Sequence, residues 1–288
     1  MFIHWVKAVR LKTMSASIAP IMLSQFLAYG MSQRFDWLLA SVIMLCAIFL
    51  QISVNLANDY FDAKAGIDTE QRLGPQRALQ TGWINAAQMR AAIALCLSIA
   101  VLCGLYLVAI GGFYYLLLGV FCIAGVLGYS GGPKPLASHA LGEVSVLLFF
   151  GPIAVLGAFY LQLIEQPLNT EQIMQVWNYA IQMGLWAAAI MLVNNLRDIE
   201  SDKAAQKTTL AVLIGAAYSR VLYVLILVSS LVLAYLNDQA MMALILGALV
   251  SLVLSWFIYQ RDKQALNKQL AQSAAGMLFW SVLCIAGL

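Results

Sequence analysis

Long stretches without a charged residue alternate with short polar segments along the chain. The stretches that contain no Asp, Glu, Lys or Arg are 13–33, 37–58, 91–133, 144–164, 172–196, 221–237, 239–260 and 269–288. Because a membrane-spanning helix needs about 20 mostly apolar residues, seven of these stretches are each predicted to cross a bilayer once. The stretch 91–133 is about twice as long and has Gly111-Gly112 near its middle, which predicts two helices joined by a tight turn. The pattern therefore predicts nine transmembrane helices.

The apolar stretches also predict the fold class. They are apolar on every side and lack the alternation of apolar and polar residues that is typical of a membrane β-barrel strand. Of the residues, 10 % are charged and 62 % are hydrophobic, and the mean hydropathy is +0.84. A soluble domain has about 25 % charged residues. We predict an all-α polytopic membrane protein, with one membrane-embedded domain over 1–288 and the lipid bilayer as its surroundings.

The same charge content argues against several classes of protein. A soluble enzyme, a disordered chain and a nucleic-acid-binding protein all need more charged residues than this chain has. The net charge of +3 is too small to suggest a polyanionic partner. We therefore predict no nucleic-acid partner, and no obligate protein partner is evident from the sequence.

The basic residues predict the orientation in the membrane, because cytoplasmic loops carry an excess of Lys and Arg. With nine spans, one side receives the N-terminus and the loops after spans 2, 4, 6 and 8. Fifteen of the 16 Lys and Arg residues fall on that side, and Arg34 falls on the other. We predict that the N-terminus and the even-numbered loops are cytoplasmic and that the C-terminus faces outward.

Seven of the 13 acidic residues lie in two short segments on the predicted cytoplasmic side, 55–82 and 194–210. Each segment contains three polar residues at the spacing of one helical stripe. These sets are Asn55, Asp59 and Asp62 at i, i+4 and i+7, and Asn194, Asp198 and Asp202 at i, i+4 and i+8. The Asn residues that begin the two sets are 139 positions apart, and so are the first Asp residues of the two sets. The segments therefore look like a diverged parallel repeat at the ends of spans 2 and 6.

Carboxylates stacked on one helical face repel one another and need compensation. Bulk water and nearby Arg or Lys can supply it, in which case the segments are solvated acidic loops. Alternatively, two matching clusters of carboxylates and carboxamides at one depth offer the oxygen ligands that Mg2+ takes, together with substrate phosphates. Two such clusters facing each other would hold metal ions on both sides of one diphosphate.

Basic residues flank both acidic segments. Arg72 and Arg77 follow the first cluster, and Arg197, Lys203 and Lys207 lie within and after the second. An Arg side chain can clamp phosphate oxygens at two points, and a Lys acts as a point charge. The alternative for each of these residues is the ordinary positive bias of cytoplasmic loops.

A third loop on the same side joins predicted spans 4 and 5. The Gly and Pro residues of 128–143 predict a defined turn, and Lys134 can reach a phosphate from it. Glu143 begins span 5 at the membrane boundary, where an unpaired carboxylate is costly. We expect a metal, a lysine or a substrate group as its partner, unless it is solvated at the start of the helix.

The motifs at these positions resemble those of the UbiA superfamily of intramembrane prenyltransferases, over essentially the whole chain. The motifs that carry the resemblance are Asn58-Asp-Tyr-Phe-Asp62, Arg72-Leu-Gly-Pro-Gln-Arg77-Ala, Gly132-Pro-Lys-Pro-Leu and Asn194-Asn-Leu-Arg-Asp-Ile-Glu-Ser-Asp202. Their combination is similar to the branch that prenylates 1,4-dihydroxy-2-naphthoate in menaquinone synthesis. One position departs from the common first motif of the family, since Gly66 stands where a further Asp is usual and the next acid is Asp68.

The resemblance implies a UbiA-type bundle of nine helices in the bacterial cytoplasmic (inner) membrane. It implies Mg2+-dependent transfer of a polyprenyl group from polyprenyl diphosphate to the naphthoate, with loss of CO2, giving demethylmenaquinone. Asp59, Asp62, Asp198 and Asp202 are then the expected catalytic residues and Mg2+ ligands. The expected substrate-binding residues are Asn55, Asn58, Arg72, Arg77, Lys134, Asn194, Asn195, Arg197 and Lys207.

Two other functions stay open on the sequence. A 4-hydroxybenzoate polyprenyltransferase would share the fold, the metal and the donor, and would differ in its aromatic acid. A membrane transporter would also have many apolar spans and weak internal repetition. A transporter, however, is expected to carry ionisable or broken sites near the middle of the membrane, whereas this chain has its acids at one face.

Overall fold

The computed structural model describes residues 2–67, 73–163 and 167–287, and these residues form helices joined by loops. The helices are α1 Phe2–Val9, α2 Ser15–Ser32, α3 Trp37–Lys64, α4 Ala86–Gly111, α5 Phe113–Ser130, α6 Gly142–Leu148, α7 Ala154–Gln162, α8 Thr170–Arg197, α9 Ile199–Ala204, α10 Leu210–Leu236, α11 Met241–Gln260 and α12 Leu266–Ala286. A π-helical turn, Phe149–Ile153, joins α6 to α7, so that Gly142–Gln162 is one continuous helix. The predicted all-α class is confirmed over the described residues.

The number of membrane spans differs from the prediction. Within the described chain, eight helices are long and apolar enough to cross a membrane: α3, α4, α5, the helix Gly142–Gln162, α8, α10, α11 and α12. They include both helices predicted within 91–133, which break at Gly112, where φ is 75°. The predicted number of nine is not confirmed, because α2, which forms within the predicted span 13–33, is not among the eight.

Helix α2 carries several polar side chains among its apolar residues. Ser17, Ser24 and Gln25 are buried inside the protein. The Ser24 hydroxyl donates to the carbonyl of Val155 at 2.8 Å, and the amide oxygen of Gln25 accepts a hydrogen bond from Gln162 at 2.7 Å. These side chains lower the hydropathy of α2, and the partners of Ser24 and Gln25 on α7 explain how these two are accommodated in the interior.

Helix α8 lies at the centre of the fold. In the most apolar 18-residue segment of α8, 72 % of the residues are buried, whereas the corresponding value for α5 is 11 %. Helix α8 packs against α6, the π-helical turn, α10 and α12. Trp186 of α8 stacks on Trp280 of α12 with ring centroids 6.5 Å apart, and both rings are buried. The C-terminal end of α8, which carries the second acidic segment, is therefore held by several neighbouring helices.

Two glycines allow α8 to approach α6 and the π-helical turn closely. A Cβ atom on Gly184 would lie 2.5 Å from the carbonyl oxygen of Leu147, and one on Gly151 would lie 2.6 Å from that of Ala180. Both obstacles are backbone atoms, so a methyl group forces the helices apart. We expect Gly184→Ala to lower the free energy of unfolding by about 1–3 kcal/mol, measured by thermal unfolding in detergent.

A matched glycine on α4 supplies the control for this substitution. A Cβ atom on Gly104 would meet nothing within 4 Å, so Gly104→Ala is expected to change the stability by less than ~1 kcal/mol. Equal unfolding temperatures for Gly104→Ala and Gly184→Ala would contradict the inferred close approach of the helices.

Candidate active site

A cavity of about 300 Å³ lies between α2, α3, α5, the helix Gly142–Gln162 and α8. One end of the cavity is polar, and the rest is mainly apolar. The polar residues that line this end are Arg10, Thr13, Ser17, Gln51, Asn55, Asn58, Arg77, Tyr129, Ser145, Asn194, Asn195, Asp198, Asp202 and Lys207. Both acidic segments therefore contribute side chains to the same end of one cavity.

The apolar part of the cavity extends along α3. Ile43 and Asn58 both line the cavity and are 15 positions apart, which corresponds to roughly 22 Å of helix at a rise of 1.5 Å per residue. On the facing wall, the π-helical turn contributes Phe149 and Ile153 to the lining. This turn contains Pro152, which has no N–H group and so interrupts regular helical hydrogen bonding. The cavity thus joins a charged end to a long apolar channel.

The two acids of the first segment hold the loop that follows α3. Asp59 is 1 % exposed and accepts hydrogen bonds from the backbone N–H groups of Ala78 at 3.0 Å and Leu79 at 3.4 Å. Asp62 is also buried and forms an ion pair with Arg77, whose Nη2 lies 3.1 Å from Asp62 Oδ2. Neither carboxylate is among the described lining residues of the cavity, whereas Arg77 is. Asp59 and Asp62 are therefore placed against the loop.

The asparagines of the first segment face the cavity instead. Asn58 Oδ1 accepts a hydrogen bond from Arg77 Nη2 at 2.5 Å, and Asn55 Nδ2 donates to the carbonyl of Val9 at 2.9 Å. The residues of α3 that line the polar end of the cavity therefore include Asn55 and Asn58. The predicted stripe on α3 ran from Asn55 to Asp59 and Asp62.

The second segment keeps the predicted stripe. Helix α8 ends at Arg197 and α9 begins at Ile199, but the N–H group of Asp202 donates to the carbonyl of Asp198 at 2.8 Å across this break. The spacing of a helix is thereby retained, and Asn194, Asp198 and Asp202 all line the cavity.

Arg197 orients the carboxylate of Asp198. Its Nε and Nη2 donate to the two carboxylate oxygens at 2.7 and 2.5 Å, a two-point geometry that fixes the plane of the carboxylate. The same guanidinium donates to Asn194 Oδ1 at 2.9 Å and to Asn267 Oδ1 at 2.8 Å. Arg197 is buried and is not among the described lining residues. Its contact with substrate stays a prediction. Its described contacts orient Asp198, Asn194 and Asn267.

The remaining predicted cations lie in three different settings. Lys207 lines the cavity, with its Nζ 3.9 Å from Asp202 Oδ1. Lys134 is exposed on the loop between α5 and α6 and is not among the described lining residues. Arg72 lies outside the described residues, as do the neighbouring acids Asp68 and Glu70.

Sequence reasoning missed Asn267, near the start of α12. Its Oδ1 accepts a hydrogen bond from Arg197, and its Nδ2 donates to the carbonyl of Leu73 at 3.0 Å. Asn267 thus links the second acidic segment to the loop after the first. Its two partners are 70 and 194 positions away in the sequence, so no local spacing could have indicated this role.

The oxygen donors at the polar end fit Mg2+. Asp198 and Asp202 offer carboxylates and Asn194 an amide oxygen, which are hard ligands of the kind that Mg2+ prefers. A carboxylate oxygen has two lone pairs, so an oxygen of Asp198 that accepts a hydrogen bond from Arg197 can also coordinate a metal. The described residues contain no group of three or more His, Cys, Asp and Glu side chains positioned to hold a metal. Mg2+ does not need such a group, because it is often bound by one or two carboxylates together with substrate phosphates and water.

The sequence pattern of the UbiA prenyltransferase family matches residues 17–283. The chain belongs to this family. A 1,4-dihydroxy-2-naphthoate octaprenyltransferase of Haemophilus influenzae is 38 % identical over 239 residues, which cover 81 % of this chain and 75 % of that relative. An enzyme of the same name from Escherichia coli K12 is 33 % identical over 299 residues, covering 99 % and 94 %. The protein is accordingly an enzyme of the prenyltransferase class.

Solved structures of UbiA homologues have the same fold. An apo UbiA homologue from Aeropyrum pernix K1 superposes with a TM-score of 0.69 at 17 % identity, over 97 % of both chains. A UbiA homologue from Archaeoglobus fulgidus bound to GPP and Mg2+ superposes with a TM-score of 0.66 at 15 % identity, over 98 % of this chain and 99 % of that one. The UbiA-type helical bundle predicted from the motifs is confirmed by these likenesses.

Proposed function

We propose that the protein transfers a polyprenyl group from a polyprenyl diphosphate to 1,4-dihydroxy-2-naphthoate, with Mg2+ bound at the polar end of the cavity. The observation that carries this proposal is the continuity of one cavity, from acids, amides and basic residues at one end into an apolar channel along α3. A polyprenyl diphosphate has the same division into a charged head and an apolar tail. The names of the bacterial relatives support the naphthoate, and the homologue solved with GPP and Mg2+ supports the metal.

The residues at the polar end divide the work of binding the diphosphate. Arg77 and Lys207 line the cavity beside the acids and would hold phosphate oxygens. Asp198 and Asp202 would hold Mg2+ from the α8 side, and Asp59 and Asp62 stay the predicted ligands from the α3 side. Bound Mg2+ neutralises the diphosphate and so favours its departure as a leaving group.

The apolar channel keeps water away from the prenyl group while the bond to its diphosphate breaks. An electron-rich ring carbon of the acceptor then forms the new C–C bond. In the proposed reaction this carbon carries the carboxylate, which leaves as CO2 and returns its bonding electrons to the ring. The product is demethylmenaquinone in its reduced, hydroquinone form.

The proposed orientation places the polar end of the cavity at the cytoplasmic face of the inner membrane, with the C-terminus outside. The distribution of the basic residues supports this orientation. Two contacts are consistent with this orientation. They bring the N-terminal segment and the start of α12, which are both predicted to be cytoplasmic, to the polar end of the cavity. Asn55 contacts Val9 and Asn267 contacts Leu73, whereas Cys284, near the end of α12, contacts Gln239 in the α10–α11 connection.

Substrate assays on the purified full chain test this function. The protein in detergent receives Mg2+, a polyprenyl diphosphate and either 1,4-dihydroxy-2-naphthoate or 4-hydroxybenzoate. We expect prenylated product and an equal amount of CO2 with the naphthoate, no product with hydroxybenzoate, and loss of both signals when EDTA removes Mg2+. Turnover of hydroxybenzoate alone would overturn the choice of acceptor. Prenylation of the naphthoate without CO2 would overturn the decarboxylation step.

A further inference from the structure

A buried carboxylate beside the cavity takes no part in the function proposed above. Glu143 is the second residue of α6 and is 5 % exposed. Its Oε1 accepts a hydrogen bond from Asn195 Nδ2 at 2.9 Å, and its Oε2 is buried without a hydrogen-bond partner among the described residues. A carboxylate at a membrane boundary is costly. Its described partner is an amide, so the contact with Asn195 is the feature to explain.

The chemistry of a carboxylate fixes the orientation of that amide. Glu143 Oε1 is the acceptor in this contact, whereas an Asn side chain donates through its nitrogen and accepts through its oxygen. Glu143 therefore commits Nδ2 of Asn195 to itself and leaves Oδ1 as the atom that Asn195 offers to the cavity. Asn195 lines the cavity three positions before Asp198, so this oxygen belongs to the polar end.

The neighbourhood of Asn195 suits a hydrogen-bond donor more than an anion. Tyr129 also lines the cavity there, and its hydroxyl is committed as a donor to Met191 Sδ at 3.2 Å. A Cβ atom built on Gly142 would lie 3.5 Å from the Tyr129 hydroxyl and 3.8 Å from Asn195 Nδ2, which shows that these groups adjoin. The described lining residues of α5, α6 and α8 include no basic side chain, and the basic lining residues Arg10, Arg77 and Lys207 belong to other segments. This edge of the cavity therefore presents acceptor oxygens, which match a hydroxyl group better than a phosphate or a carboxylate.

We propose that Glu143 is a positioning residue for the aromatic acceptor: it holds Asn195 so that Oδ1 accepts a hydrogen bond from one of the two ring hydroxyls. This inference rests on the proposed function, because it takes the dihydroxynaphthoate as the acceptor. A hydrogen bond that draws the hydroxyl proton toward Asn195 increases the electron density of the ring. Glu143 thereby favours attack by the ring carbon without touching the substrate.

Glu143→Gln in the full chain tests the inference. Glutamine has the same shape, but its amide can also donate, so the orientation of Asn195 is no longer determined. We expect the KM for the naphthoate to rise about tenfold, as for the loss of one hydrogen bond, while the KM for the polyprenyl diphosphate changes less than twofold. Wild-type enzyme should use the dihydroxynaphthoate better than the monohydroxynaphthoates that lack either hydroxyl, and this preference should shrink in Glu143→Gln for one of them.

Two further variants separate positioning from a general structural effect. Glu171→Gln removes an exposed carboxylate from the first turn of α8 and is expected to leave both KM values unchanged. Asn195→Ala should raise the KM for the naphthoate as Glu143→Gln does, and the double variant should be no worse than Asn195→Ala, because Glu143 acts through Asn195. If Glu143→Gln does not fold, Asn195→Ala alone carries the same expectation.

The outcomes distinguish this inference from the function on which it rests. No turnover of the naphthoate by the wild type would overturn the proposed function and this inference with it. Normal wild-type turnover with an unchanged naphthoate KM in Glu143→Gln would overturn the inference alone. Equal increases in the KM values of donor and acceptor would also overturn it, as would additive effects of Glu143→Gln and Asn195→Ala.

Discussion

Asp198→Asn is expected to reduce prenyl transfer by about 10³-fold or more while the protein stays folded. Asp198 lines the cavity, and both of its oxygens accept hydrogen bonds from the Arg197 fork. Asparagine keeps one oxygen, presents N–H groups to a guanidinium and removes the negative charge that Mg2+ needs. A loss of several kcal/mol of charge stabilisation corresponds to a rate decrease of this size. The measurement is initial rate against Mg2+ concentration, with thermal unfolding in detergent as the check on folding.

Glu200→Gln is the matched control for Asp198→Asn. Glu200 lies two positions away on α9 and is exposed, so the substitution removes the same charge outside the cavity. We expect its rate to be within twofold of the wild type. Near-normal turnover by Asp198→Asn at saturating Mg2+ would show that Asp198 is not a metal ligand.

Arg77→Met is expected to lower the free energy of unfolding by about 3–5 kcal/mol and to abolish most of the activity. The substitution leaves the buried carboxylate of Asp62 without its described ion-pair partner and removes a donor from Asn58. It also weakens the loop that Asp59 holds through the next two backbone N–H groups. Chemical unfolding in detergent and initial rates measure the two effects. Arg77→Lys should recover part of the stability, since a Lys keeps the charge but not the fork.

Arg90→Met provides the comparison for Arg77→Met. Arg90 lies near the start of α4 and is exposed, and its described hydrogen bond to the Tyr60 hydroxyl is 3.5 Å long. Removing a basic residue there is expected to change the stability by less than about 0.5 kcal/mol. If Arg77→Met and Arg90→Met unfolded at the same denaturant concentration, the ion pair with Asp62 would not stabilise the fold.

The second acidic segment was the easier of the two to interpret from sequence. Asn194, Asp198 and Asp202 were predicted on one helical stripe, and the structure brings all three to the cavity. Their spacing follows from the geometry of a single helix, which one additional backbone hydrogen bond extends past the end of α8. The shared stripe could be predicted because it depends on local helix geometry.

The first segment shows where that reasoning stops. The spacing places Asn55, Asp59 and Asp62 near one another on α3, but the face of α3 that meets the cavity is determined by packing against other helices. The loop after α3 folds back onto Asp59 and Asp62, and Asn55 and Asn58 line the cavity instead. Spacing within one helix carries no information about which face of that helix the following loop covers.

The difference between the nine predicted membrane spans and the eight observed among the described residues also reflects contacts that the sequence does not reveal. A charge-free stretch of sufficient length predicted a helix at 13–33, and α2 forms there. Ser24 and Gln25 are accommodated because they meet partners on α7. Hydropathy measures the preference of a segment for lipid, whereas the burial of α2 among other helices depends on contacts between residues that are far apart in the sequence.

The sequence by itself determined the helical class, the membrane setting and the two sets of acids at the ends of spans 2 and 6. The physical reason is that apolar segments of this length must satisfy their backbone hydrogen bonds internally, and a helix does so within one segment. Only the tertiary structure decided which polar atoms meet at the cavity. The Arg197 fork, the bridge through Asn267 and the contact of Glu143 with Asn195 all depend on how the ends of separate helices pack against one another.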